Sequence, residues 1–239
     1  MCSRKGPADM DAEMVNPDVA ESLDGKTRLI LAGEQLFAES GILGASMREI
    51  ASRAGQGNHA AVQYHFGSRE GLVRAIFDYR MEQMEEARGR MLDRAKSYGL
   101  LKDAQTILEI ILLPQLYLQD ADGNHSYARF LSQYLLQSRS TEFGEFSGSE
   151  PENLKIALKL LRDRVDYLPP FVAQRRLISV SLMFLNILVR HHGTYGALFG
   201  ETFEQALDDT MEQIVTVMCM PLRWRRHVDG DGVSTKESL

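Results

Sequence analysis

Residues 27–77 read TRLILAGEQLFAESGILGASMREIASRAGQGNHAAVQYHFGSREGLVRAIF, and this stretch decides the fold. Its apolar residues recur at helical spacing. Leu29, Gly33, Leu36 and Phe37 share one face, with Ile30 beside them, which predicts a helix over 26–39. Gly41 ends it. Ser46-Met47-Arg48-Glu49 has the pattern of a capping box, in which the hydroxyl accepts the Glu49 amide and the Glu49 side chain reaches back. A second helix is therefore expected from Ser46, burying Ile50 and Ala51 and stopping at Gly55. A third, short helix is expected over 59–65. Gly67-Ser68 then breaks the chain, and Ser68 caps a longer helix that turns Leu72, Val73, Ile76 and Phe77 inward.

Two short helices joined by a turn, with positive charge nearby, are what reading a duplex requires. The major groove admits one helix, and a partner helix holds it against the backbone. The third helix here is polar: Asn58, His59, Gln63, Tyr64 and His65 can each donate or accept a hydrogen bond. Asn and Gln suit adenine edges, Tyr64 and His65 suit phosphates, and Arg69 supplies charge at the next helix start. The chain as a whole carries a net charge of −6, yet residues 26–80 hold seven basic against five acidic side chains. The flanking blocks are acidic, two against six over 1–25 and 18 against 22 over 81–239. Phosphate binding needs local rather than overall positive charge. Taken singly, each residue has a plainer reading. Ser46 caps a helix whatever its function, the Tyr64 ring could pack on the first helix, and Arg48, Arg53 and Arg74 could be solvated. The ordered set is what points to DNA.

That set resembles the TetR family of repressors. The matching residues are Ile30-Leu31-Ala32 and Leu36-Phe37, Gly41, Ser46-Met47-Arg48-Glu49-Ile50-Ala51, Ala54-Gly55 and Tyr64-His65-Phe66-Gly67-Ser68-Arg69-Glu70. The resemblance implies phosphate contacts from Ser46, Tyr64, His65 and Arg69 and base reading by Asn58, His59, Ala60 and Gln63; Arg48 joins the DNA-binding set. There are departures. From Gly55 to Phe66 the chain is one residue longer than the usual spacing, Gln56-Gly57-Asn58 stands in place of a commoner Val-Ser pair, and Arg69 replaces a usual Lys.

The rest of the chain reads as helical, giving an all-α fold. Residues 1–24 are an expected disordered arm, 25–72 a helix-turn-helix domain, 73–228 a helical effector-binding and dimerisation domain, and 229–239 a disordered tail. Helices are expected over 105–119 with a kink at Pro114, over 126–138, from Pro151 to about 166, over 171–191 and over 202–218; an exposed loop is expected over 140–151. The last helix places Phe203, Leu207, Thr210, Met211, Ile214 and Met218 on one stripe. The helices at 171–191 and 202–218 carry more apolar surface than one internal face needs, so they are the expected homodimer seam. By resemblance, the C-terminal helices take a small-molecule effector. Leu113, Leu116, Tyr117, Phe130, Tyr134, Met183 and Phe184 suit an apolar or aromatic one, although each could equally be core.

Other signals fail on context. Gly55-Gln56-Gly57-Asn58-His59-Ala60 fits a dinucleotide fingerprint, but a helix rather than a strand precedes it. His191-His192 are adjacent and do not share a helix face, so no metal is expected, and no cofactor. Arg223-Trp224-Arg225-Arg226 is a basic terminus. Two cysteines, Cys2 and Cys219, form no framework, and the first residues lack an apolar leader run, which together suggest a cytoplasmic, membrane-free protein. No nucleophile elbow or paired-carboxylate site is visible, so an enzyme is not expected. The competing reading is a helical ligand-binding or enzymatic bundle with a vestigial helix-turn-helix.

Overall fold

The computed structural model describes residues 24–58, 60–120, 123–137, 150–190 and 200–223. They form nine α-helices and one 3₁₀ turn, with no strand among the described residues, as the sequence periodicity requires. Most of the expected arm, loop and tail falls outside them. The helices are α1 (Gly25–Ser40), α2 (Met47–Arg53), α3 (Ala61–Phe66), α4 (Arg69–Ser97), α5 (Ala104–Leu112), α6 (Ser126–Gln137), α7 (Glu152–Arg164), α8 (Pro170–Arg190) and α9 (Phe203–Cys219).

Local chemistry sets the ends. Asp24 caps α1 by accepting from the Thr27 amide at 2.8 Å. That backbone bond holds its carboxyl below the usual range. α2 closes in a Schellman motif: the Gln56 amide donates to Ala51 O, the Gly55 amide to Ser52 O, and Gly55 sits at φ 68. Ser68 accepts from the Gly71 amide at 3.1 Å, as expected for its cap on α4. α9 begins with a full capping box between Thr202 and Gln205, which the sequence reading did not single out.

Two expectations need correction. The capping box at Ser46 does not form: Ser46 occupies the N-cap position of α2, but its hydroxyl makes no cap bond. Glu49 lies instead 3.7 Å from Arg53, one turn on, and Arg53 also holds Glu39 at 2.8 Å. The expected kinked helix through 105–119 ends at Leu112 and tightens into a 3₁₀ turn over Leu113–Tyr117. Pro114 has no amide to give the carbonyl four residues back, and a short 3₁₀ piece continues the chain without it.

The chain divides into two compact units, residues 1–80 with 116–137, and 81–115 with 138–239. In the first, α6 packs on α1 and α2 on both α1 and α3. Its core holds Leu29, Leu36, Phe37, Ile50, Leu72, Ile76, Phe77, Tyr127 and Phe130. The Phe77 ring lies 5.1 Å from Phe130 and 4.7 Å from Tyr134, with Phe37 stacked on Phe130 at 6.1 Å. Truncating an aromatic in such a cluster costs about 3–5 kcal/mol.

A buried ion pair also sits in this unit. Glu34, 1% exposed on the apolar face of α1, takes Arg80 of α4 through both carboxylate oxygens at 2.6 and 2.8 Å. Ser126, at the start of α6, donates to the same carboxylate. Burial alone would lower the Arg80 guanidinium; the Glu34 hydrogen bonds and charge outweigh it and raise the pKa.

In the second unit, α5 packs on α7 and α9, and α8 packs on α9. Glu85 accepts from the Asn153 and Leu154 amides at 2.9 and 3.2 Å, satisfying the first turn of α7 from another helix. Arg176 donates to the carbonyls of Met218 and Met220, and Tyr167 to that of Cys219, closing the other end of α9. Among the described residues, α8 is the one helix long and apolar enough to pass for a membrane span by length and composition. It contains Arg175 and Arg176, and its buried face is used on protein.

Candidate nucleic-acid interface

α3 is six residues long and is held by Ala61 and Val62, both buried. Gln63, Tyr64 and His65 follow in succession and are all exposed, Tyr64 at 83%. The Tyr64 and His65 rings meet edge to face, with centroids 5.0 Å apart. A helix that buries two small residues and offers three polar side chains in a row is shaped to be read from outside.

The expected start of this helix at 59 moves to Ala61, and His59 lies outside the described residues. The reason is local. The Asn58 side-chain oxygen accepts from the Ala60 amide at 2.9 Å and its carbonyl from the Ala61 amide at 3.0 Å. Asn58 thus forms an Asx turn that leads the chain into α3. Its side-chain oxygen already accepts one bond, and its amide nitrogen keeps its donors. Ala60 and Asn58 are exposed.

On the preceding elements, Ser46 and Arg48 are exposed. With no cap bond to make, the Ser46 hydroxyl is available to a phosphate oxygen. Arg69 is turned inward: its Nη1 donates to Ala45 O at 2.8 Å and to Ile42 O, and its guanidinium lies 6.0 Å from the centre of the Phe37 ring. Arg69 therefore ties the start of α4 to the loop that delivers Ser46. Arg53 pairs with Glu39, and Arg80 with buried Glu34, so much of the positive charge counted over 26–80 is already matched.

Sequence reasoning missed Glu34, Arg80, Arg28 and Gln56. Glu34 and Arg80 fall inside apolar helical stripes, and a charge on such a stripe is the signal that would have found them. Arg28 Nε donates to Ala54 O at 3.3 Å, and Gln56 Nε2 reaches Gly25 O at 3.5 Å; nothing in residue spacing marks these contacts.

The candidate effector residues divide between the compact units. Leu116, Tyr117, Phe130 and Tyr134 belong to the first; Leu113, Met183 and Phe184 belong to the second. Phe130 and Phe184 are fully buried, and Tyr117 is 51% exposed. Leu113, Leu116, Tyr134 and Met183 are half-buried. No group of His, Cys, Asp or Glu among the described residues could hold a metal ion.

Comparison with known proteins covers the reading region most firmly. Residues 29–76 match the family model described as bacterial regulatory proteins, tetR family. No curated protein matches the chain. One solved structure, from work described as "Molecular basis for control of antibiotic production by a bacterial hormones", shares 19% identity. It covers 80% of this chain and 96% of its own, with a TM-score of 0.44. The matched segment contains α2, α3 and the exposed Gln63, Tyr64 and His65 described above, and residues 29–76 are thus similar to the DNA-binding segment of bacterial regulatory proteins of the tetR family, which supports a DNA-binding transcriptional regulator.

Proposed function

We propose that this regulator is a repressor that reads operator DNA with α3 and leaves it when a small apolar or aromatic effector binds. The observation that carries the DNA-reading assignment is the run of three exposed polar side chains, Gln63, Tyr64 and His65, on a helix anchored only by Ala61 and Val62. Gln63 reads a base edge, with Asn58, His59 and Ala60 at the entry to the groove. Tyr64, His65, Ser46 and Arg48 lie on phosphates. Arg69 contributes by rigidifying the loop before Ser46 and adding positive charge beneath it, since its Nη1 is already donated to the protein backbone.

One reading helix covers too few base pairs for an operator, so two copies act together, about 34–36 Å apart. We assign the seam to α8 and α9. Beyond the faces they bury, Leu182, Ile187 and Val189 on α8 and Leu207, Val215 and Val217 on α9 remain half-buried. Ile214 is wholly buried inside the protomer, so charge at Val215 or Leu182 is the better probe of the seam. The effector acts through the helices beyond the reading head; its candidate contacts are Leu116, Tyr117, Phe130 and Tyr134 in the first unit and, as separate candidates, Leu113, Met183 and Phe184 in the second. It shifts the bound population only through unequal affinity for the two states.

The test is a gel-shift titration on duplexes recovered from genomic footprinting. Affinity falls steeply with salt as phosphates release counterions. Gln63→Ala relaxes sequence preference at one position, at a cost of about 1–3 kcal/mol if the contact is bidentate. Binding unchanged by both salt and Gln63→Ala would remove α3 from the interface.

A further inference from the structure

The turn between α2 and α3 runs from 54 to 60, longer than a tight turn, and a longer turn lets a six-residue helix point in many directions. Two side-chain contacts from the first turn of α1 restrict it. Arg28 Nε donates to the carbonyl of Ala54, the last residue before the Schellman glycine. The Gln56 side chain lies against Gly25, reaching its carbonyl at 3.5 Å. The approach is close enough that a Cβ on Gly25 would stand 2.9 Å from Gln56 Nε2. Beyond Gln56, Asn58 takes over with its Asx turn into α3. Between them lies Gly57, where an added Cβ would meet nothing within 4 Å. The chain from α2 to α3 is thus pinned at 54 and 56 and shaped again at 58.

The geometry points to Arg28 and Gln56 as positioning residues for DNA reading: they aim α3 without touching the duplex, and Gly25 is glycine so that Gln56 can seat against α1. This rests on the DNA-reading role proposed for α3. Gly25 offers a test that separates aim from stability. It is the first residue of α1, where alanine is the better helix former, so Gly25→Ala leaves the melting temperature unchanged or raised. The new methyl group nevertheless pushes the Gln56 amide off its seat.

The experiment selects duplexes from a random pool with the full-length chain. It then measures affinity for the selected duplex and for a scrambled one by fluorescence anisotropy, alongside thermal melting. Expected for Gln56→Ala is a loss of about five-fold on the selected duplex, the scale of one hydrogen bond, with scrambled-duplex affinity unchanged. Gly25→Ala reproduces that loss while melting at or above the wild-type temperature, and adds nothing in the Gln56→Ala background. Arg28→Lys, which keeps a donor, loses less than Arg28→Ala. Selected and scrambled affinities falling together with the melting temperature would make Gln56 a merely structural residue and overturn the proposal. So would wild-type selectivity in Gly25→Ala and Gln56→Ala. A wild-type chain that enriches no duplex overturns the DNA-reading role and the positioning role with it; enrichment by wild type with unchanged variants overturns the positioning role alone.

Discussion

α3 has six residues and buries Ala61 and Val62; α9 has seventeen and buries Ala206, Thr210, Met211, Ile214 and Met218. α9 carries its own capping box at Thr202 and a buried stripe long enough to fix its place, with Arg176 and Tyr167 finishing its last carbonyls. α3 and its partner α2 have neither advantage. Ser46 makes no cap bond, and the segments around the two helices are held by Arg28, Arg53, Gln56 and Arg69, each bonded to backbone or to a carboxylate. The difference teaches that polar residues around a short helix are first used to build it. A count of positive charge over 26–80 overstates what remains for DNA.

The largest expected effect lies in the first unit. Arg80→Ala strands the Glu34 carboxylate in a dry environment and costs about 3–5 kcal/mol, read as a lower urea midpoint. A cost below about 1 kcal/mol would mean that water reaches Glu34 and that the reading region does not lean on this pair. Next comes a matched pair of cap deletions. Thr202→Ala removes a formed capping box and costs about 1 kcal/mol of stability. Ser46→Ala removes a hydroxyl with no cap bond, changes stability by less than about 0.5 kcal/mol, and weakens duplex binding. If the two cost the same, the contrast between the regions fails at its caps. The smallest effect is at Cys219, whose thiol burial pushes up. A raised pKa leaves little thiolate at neutral pH, so in a Cys2→Ser background its alkylation by iodoacetamide is slow at pH 7 and accelerates as pH rises. Fast labelling at pH 7 would show that the end of α9 opens.

Helix periodicity was readable where a helix had enough apolar residues to mark a face, as in α1 and α9, and less so in six-residue α3, whose start moved from 59 to 61. Leu29, Leu36 and Phe37 are buried where the spacing put them, and so are Thr210, Met211, Ile214 and Met218. What the sequence hid was which of several local partners a polar side chain chooses. Ser46 and Thr202 both begin a Ser/Thr-x-x-Glu/Gln pattern, and only the second becomes a capping box; at the first, Glu49 lies beside Arg53. Arg69 reads as a phosphate ligand by position, yet it reaches back 24 and 27 residues to two carbonyls. Pro114 announced an interruption but not its form. Asn58 reads as a base-reading residue, and its oxygen turns out to start the helix.

The buried trio of Glu34, Arg80 and Ser126 bears on how portable the reading head is. The segment that matches the family model ends at residue 76, short of Arg80, and Ser126 lies 92 positions beyond Glu34. A designer who excised residues 25–76 to graft them onto another scaffold would carry the carboxylate and leave its cation and its hydroxyl behind. Such a chimera needs either Arg80 and Ser126 brought along on their own helices, or Glu34 replaced by an apolar residue of similar volume. By the physics of buried ion pairs the second route is the more forgiving.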